Sequence, residues 1–141
     1  MENKNIFKLI RTLELLTNET IIKFTKSFNL NVGIPQILVL NELAQKGPQM
    51  QSALAAEHGY TPGAMTNIAD KLIKEGYAVR KFDESDRRIV LLAITEQGLA
   101  VLKRAEEKGK EMRMDLYSVL TEEEVEQLIL IKEKLLDSLS K

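Results

Sequence analysis

Asp86 and Arg88 stand two positions apart in the run Asp83-Glu84-Ser85-Asp86-Arg87-Arg88. In an extended segment such residues point to the same side, so the carboxylate can hold the guanidinium in a fixed pose through charge-assisted hydrogen bonds. A guanidinium held this way suits a narrow minor groove of duplex DNA, where the negative potential is enhanced. Arg87 places a second cation beside it. A plain charged turn that keeps a hairpin soluble would use the same residue types. A calcium loop would not, because its sixth position is Arg88 instead of Gly and its twelfth is Ile94 instead of Glu.

A second group lies just upstream. If Pro62 to Glu75 is helical, Met65, Ile68, Ala69, Leu72 and Ile73 fall on one side and Gly63, Thr66, Asn67, Asp70, Lys71 and Lys74 on the other. Gly63 and Ala64 allow close approach, Thr66 can donate or accept, Asn67 can make two bonds to an adenine edge, and Lys71 or Lys74 can reach guanine or phosphate. An ordinary solvated helix face has the same composition. Asp70 opposes phosphate and therefore needs a nearby arginine, with Arg80 and Arg88 the candidates.

The elements that would position these groups follow from local rules. Gly59 supplies a left-handed helix end, Tyr60 turns the chain, Thr61 can accept a bond from the free amides of the next helix, and Pro62 pre-sets its first turn. With a short helix over Gln51 to His58, this is a helix-turn-helix joint. Gly76 ends the second helix, and Tyr77 to Phe82 and Ile89 to Ile94 read as paired strands rich in aromatic and branched residues. A helix beside a two-stranded ribbon can read neighbouring grooves of one duplex.

Upstream, apolar residues at helical spacing from Lys4 to Phe28 give a long amphipathic helix of about 37 Å, more than a small domain requires. Asn29 to Gly33 breaks it, and Pro35 suits the first turn of a helix running to Gly47-Pro48. Downstream, Thr95 can cap a helix carrying Leu99, Leu102, Met112, Leu116 and Val119. Thr121 with Glu124 forms a capping box, with Leu120 placed to staple onto Val125, and opens a last helix through Leu139.

Composition narrows the function. The chain of 141 residues is 44% hydrophobic and 29% charged, as expected of one globular domain. It has no cysteine, which excludes disulfides, thiolate zinc sites and thiol-based peroxide sensing. His58 is the only histidine, and before Gly59 it reads as a helix-end cap or a solvated side chain, not a metal ligand. No Gly-rich phosphate loop, zinc spacing or nucleophile set is present, so neither an enzyme, a cofactor nor a metal is expected. There is no signal-peptide pattern at Met1-Glu2-Asn3-Lys4-Asn5 and no membrane-spanning run, and the expected location is cytoplasmic.

The net charge of −1 does not announce a nucleic-acid binder, but its distribution is uneven. Residues 61–95 hold six basic and five acidic side chains, a balance of +1, whereas residues 96–141 hold eight and eleven, a balance of −3.

Taken together, the wing run with Leu91-Leu92-Ala93-Ile94-Thr95-Glu96-Gln97-Gly98, and upstream Ser52-Ala53-Leu54-Ala55 and Met65-Thr66-Asn67-Ile68-Ala69-Asp70-Lys71-Leu72-Ile73-Lys74-Glu75-Gly76, resemble the MarR family of winged-helix transcriptional regulators over nearly the whole chain. The resemblance implies a mainly α fold with a small β-hairpin. It implies a single domain over 1–141, with a winged helix-turn-helix at about 34–95 and dimerisation helices at about 4–28 and 96–139. It further implies a homodimeric repressor on a pseudopalindromic double-stranded operator, with helix 62–75 in the major groove and wing 83–88 in the minor groove. The implied DNA-binding residues are Thr61, Gly63, Ala64, Thr66, Asn67, Lys71, Lys74, Asp86, Arg87 and Arg88. An effector pocket is also implied. With no cysteine and one histidine, a small organic effector or none remains. The alternative is a winged-helix protein-interaction or small-molecule-binding module without DNA binding, favoured by the near-neutral charge and by Asp70.

Overall fold

The computed structural model describes residues 3–28 and 31–140, with side chains from residue 5 onward. Asn29 and Leu30, where the first predicted break begins, lie outside the described residues, as do Met1 and Glu2. The chain forms two compact units, residues 1–106 and 107–141. The first contains α1 (Asn3–Ser27), α2 (Ile34–Lys46), α3 (Gln51–His58), α4 (Pro62–Lys74), β1 (Ala78–Phe82), β2 (Val90–Ile94) and the start of α5 (Glu96–Tyr117). The second contains the end of α5 and α6 (Glu122–Leu139). The architecture is the expected one: helices with one antiparallel hairpin, each element within a residue or two of its predicted span.

Local rules account for the boundaries. Gly59 and Gly76 take φ of +72° and +82°, the left-handed values that end α3 and α4. The Thr61 hydroxyl accepts from the Ala64 amide at 3.1 Å, with Pro62 behind it in the first turn. The α6 capping box closes in both directions, Glu124 N to Thr121 Oγ1 at 3.2 Å and Thr121 N to Glu124 Oε1 at 2.9 Å. At the start of α2, Gly33 donates its amide to Gln36 Oε1 at 3.0 Å, a cap not anticipated from the sequence.

In the first unit the core gathers Val39, Leu40 and Leu43 from α2, Leu54 from α3, Met65, Ile68, Ala69 and Leu72 from α4, and Leu92 from β2. Full burial of a side chain such as Leu72 favours folding by about 1.5–3 kcal/mol. The buried set on α4 therefore fixes which face that helix turns outward. β1 and β2 pair in register Ala78 with Ile94 through Phe82 with Val90. Gln49, in the α2–α3 connection, exchanges two backbone bonds with Leu92 (3.0 and 2.7 Å), so the hairpin base is held from both sides.

The hairpin also locks onto α5. Thr95 Oγ1 donates to the Gly76 carbonyl at 2.6 Å and accepts from the Gly98 amide at 3.0 Å, while Thr95 N donates to the Tyr77 carbonyl at 3.1 Å. Thr95 thus caps α5, as expected, and also ties it to the end of α4.

Two sequence readings need correction. Val119 was expected within the helix begun at Thr95, but α5 stops at Tyr117 and Val119 lies in the following turn, 83% exposed. His58 is neither a cap nor solvated. Gly59 N makes the closing bond to Ala55, and the half-buried His58 ring stacks on Tyr60 with centroids 5.7 Å apart. Its Nε2 lies 3.7 Å from Glu42 Oε2 and has no hydrogen-bond partner among the described residues. Burial between α2 and the turn overrides the end-of-helix position.

Candidate nucleic-acid interface

The two-faced reading of α4 holds residue by residue. Met65, Ile68, Ala69 and Leu72 are buried, Ile73 is half-buried, and Gly63, Thr66, Asn67, Asp70, Lys71 and Lys74 are exposed. Ala64 is half-buried beneath this polar face. Thr61 is committed to the cap, and Thr66 Oγ1 donates to the Pro62 carbonyl at 2.9 Å, which leaves its oxygen free to accept. Asn67, Lys71 and Lys74 make no side-chain hydrogen bond or ion pair with the described residues, so their polar ends face solvent. A Cβ added at Gly63 would meet nothing within 4 Å, so the first turn of α4 opens onto free space there.

The hairpin tip is built by two carboxylates. Asp83 Oδ2 accepts from the amides of Ser85 (3.2 Å) and Asp86 (3.1 Å) and from the Ser85 hydroxyl. The Ser85 hydroxyl and those amides hold the Asp83 carboxyl below its ordinary pKa. Asp86 accepts from Arg88 three times, from Nε and the backbone amide through Oδ1 and from Nη2 through Oδ2, each at 3.0 Å. The Arg88 guanidinium correspondingly lowers the Asp86 pKa.

Arg88 is nonetheless 91% exposed. Its guanidinium is oriented by one edge and presented by the other, but not by the extended segment that the two-residue spacing assumed: Arg87 and Arg88 sit in a turn closed by the Ile89 amide donating to the Asp86 carbonyl at 3.0 Å. Arg87 is exposed, with no ion-pair partner among the described residues. Sequence reasoning missed Asp83: it was counted as charge, whereas it shapes the turn.

Asp70 finds the arginine it needs. Arg80 Nη2 donates to Asp70 Oδ1 at 3.1 Å and to Gln51 Oε1 at 2.9 Å. Of the two candidates it is Arg80 and not Arg88, which Asp86 already holds. Gln51 was not anticipated as a partner. Its position as the first residue of α3 gives no sequence signal of a contact 29 residues away.

No helix among the described residues is long and apolar enough to cross a membrane. A sequence profile for the MarR family matches residues 32–90, from just before α2 to the first residue of β2. An uncharacterised HTH-type transcriptional regulator of Bacillus cereus is 34% identical over 79% of this chain and 74% of its own length. The HTH-type regulator YfiV of Bacillus subtilis is 29% identical over 69% of this chain, and the match spans 61% of that protein, less than two thirds. Among solved structures, a MarR family protein from Bacillus stearothermophilus superposes with a TM-score of 0.84 over 100% of this chain and 99% of its own, at 18% identity. At that identity the likeness is one of fold.

Proposed function

Because the chain belongs to the MarR family, whose members are DNA-binding regulators and not enzymes, we propose that it is a homodimeric, sequence-specific repressor of transcription. In this reading α4 lies in the major groove and the tip 83–88 in the flanking minor groove of each half of a pseudopalindromic operator. Gly63, Ala64, Thr66 and Asn67 meet base edges, Lys71 and Lys74 meet guanine or phosphate, and Thr61 sets the start of the helix. Arg88, aimed by Asp86 and flanked by Arg87, enters the minor groove. The observation that carries the reading is the 91% exposed guanidinium held on two hydrogen bonds to Asp86, with a third from the Arg88 backbone amide, an arrangement with no evident use among the described residues.

Fluorescence anisotropy against the intergenic DNA beside its own gene, with a scrambled duplex as control, tests the reading. Tight binding to the native fragment alone is expected, with log affinity falling linearly as log salt rises. Equal or absent binding to both duplexes would instead favour the interaction-module reading.

Dimerisation is supported by apolar surface that each terminal helix leaves uncovered. Along α1, Phe24 stacks on Phe28 at the core, but Leu9, Ile10, Leu13 and Leu16 continue the same stripe exposed. On α6 no residue is buried, and Ile129, Ile131, Leu135, Leu136 and Leu139 are exposed. Contiguous apolar faces of this size mark association surfaces. Sedimentation at micromolar concentration is expected to give twice the 16.0 kDa chain mass; the monomer mass would remove the dimer. The modulator class consistent with a chain that has no cysteine and one histidine is a small organic effector, acting by shifting the spacing of the two reading heads.

A further inference from the structure

Asp70 occupies the outward face of α4 among Asn67, Lys71 and Lys74, all exposed. A lone carboxylate there would oppose every phosphate the helix approached. Arg80 reaches it from β1, and the strand register fixes the direction. Ala78, two positions earlier on the same face, is buried opposite Ile94, and Arg80 itself pairs with buried Leu92, so its side chain leaves the core edge toward α4 and α3. There it bonds Asp70 and Gln51 together.

The side chains are 43% and 58% exposed, so solvent screens this ion pair and it adds little to the stability of the free protein. Its value must be sought elsewhere. Placed under a phosphate backbone, the pair loses that screening and cancellation of the carboxylate charge matters more.

Resting on the DNA-binding reading above, we propose that Arg80 is a charge-masking residue of the interface: it neutralises Asp70 so that α4 can approach DNA, and does not itself contact the duplex. Arg80 is therefore a positioning residue for the recognition face, acting through Asp70.

The test compares the full-length parent with Arg80→Ala, Asp70→Asn and the double variant in the same anisotropy titration, from low to high salt. Arg80→Ala is expected to weaken binding about tenfold or more at low salt, because it uncovers a like charge at the phosphates. That deficit shrinks as salt screens the repulsion. Asp70→Asn binds at least as tightly as the parent. Adding it to Arg80→Ala brings affinity back to within about threefold of the parent, the non-additivity expected of two groups acting on each other.

A double variant as weak as Arg80→Ala would overturn the proposal and make Arg80 a direct DNA contact or a structural strut. So would an Arg80→Ala deficit that is equal at every salt concentration. Should Arg80→Ala not fold, Asp70→Asn still decides, since a loss of affinity in that variant alone contradicts masking. A parent that ignores DNA altogether overturns the functional reading, and the proposal with it. A parent that binds while the rescue fails overturns the proposal alone.

Discussion

Replacing Gly98 by alanine is expected to destabilise the first unit by roughly 3 kcal/mol, at the upper end of what forcing extra atoms into a packed site costs. A Cβ at this position would lie 2.2 Å from the Tyr77 carbonyl oxygen and 2.7 Å from Ile94 Cγ1. Neither neighbour can withdraw cheaply. The Tyr77 carbonyl is pinned by the Thr95 amide, and Gly98 is held by its own bond to Thr95 Oγ1. Relief therefore requires the first turn of α5 to move away from the hairpin base, breaking the joint between α4, the wing and α5. Thermal unfolding checks it: a midpoint lower by roughly 10 °C is expected for a chain of this size. Gly63→Ala, which meets open space, serves as the control and should leave the midpoint near the parent's. An unchanged midpoint for Gly98→Ala would mean that the joint is looser than its hydrogen bonds imply.

The second large effect concerns binding. Arg88→Ala is expected to weaken operator binding by about 1–3 kcal/mol while leaving the unfolding midpoint almost unmoved. The side chain is exposed and its only partner among the described residues is Asp86, so folding loses little when it goes. Under the proposed reading the guanidinium enters a minor groove whose negative potential is enhanced where it is narrow, so its loss should be felt most on operators with A/T-rich flanks. Titration of parent and variant against duplexes with A/T-rich and G/C-rich flanks reads this directly. Equal affinity of the two proteins on both duplexes would reject the wing assignment.

Much of the architecture was legible because it rests on rules that act within a few residues. Gly59 and Gly76 needed only a helix on one side and a turn on the other, and the Thr121–Glu124 box is written in its own spacing. The two faces of α4 follow from helical period alone, which is why its buried and exposed sides were legible in advance. What the sequence could not supply depends on contacts between distant positions. The Gln49–Leu92 bridge joins single residues with no periodic pattern to advertise it. The choice of Arg80 over Arg88 as the partner of Asp70 depends on strand register, and the burial of His58 against Glu42 and Tyr60 depends on how α2 packs. Asp83 was misjudged for a different reason: a carboxylate that caps a turn and one that merely solubilises it look alike in a string of letters.

The hydrogen bonds that shape the wing tip run between residues 83 and 89: Asp83 with Ser85, Asp86 and Ile89, Asp86 with Arg88, and Ile89 with Asp86. The tip is thus a cartridge whose hydrogen bonds, among the described residues, are made by its own contents. Such a piece can be exchanged, lengthened or recharged by mutation without unsettling the body that carries it. A lineage built on this plan can change what its fingertip touches while the hand stays the same.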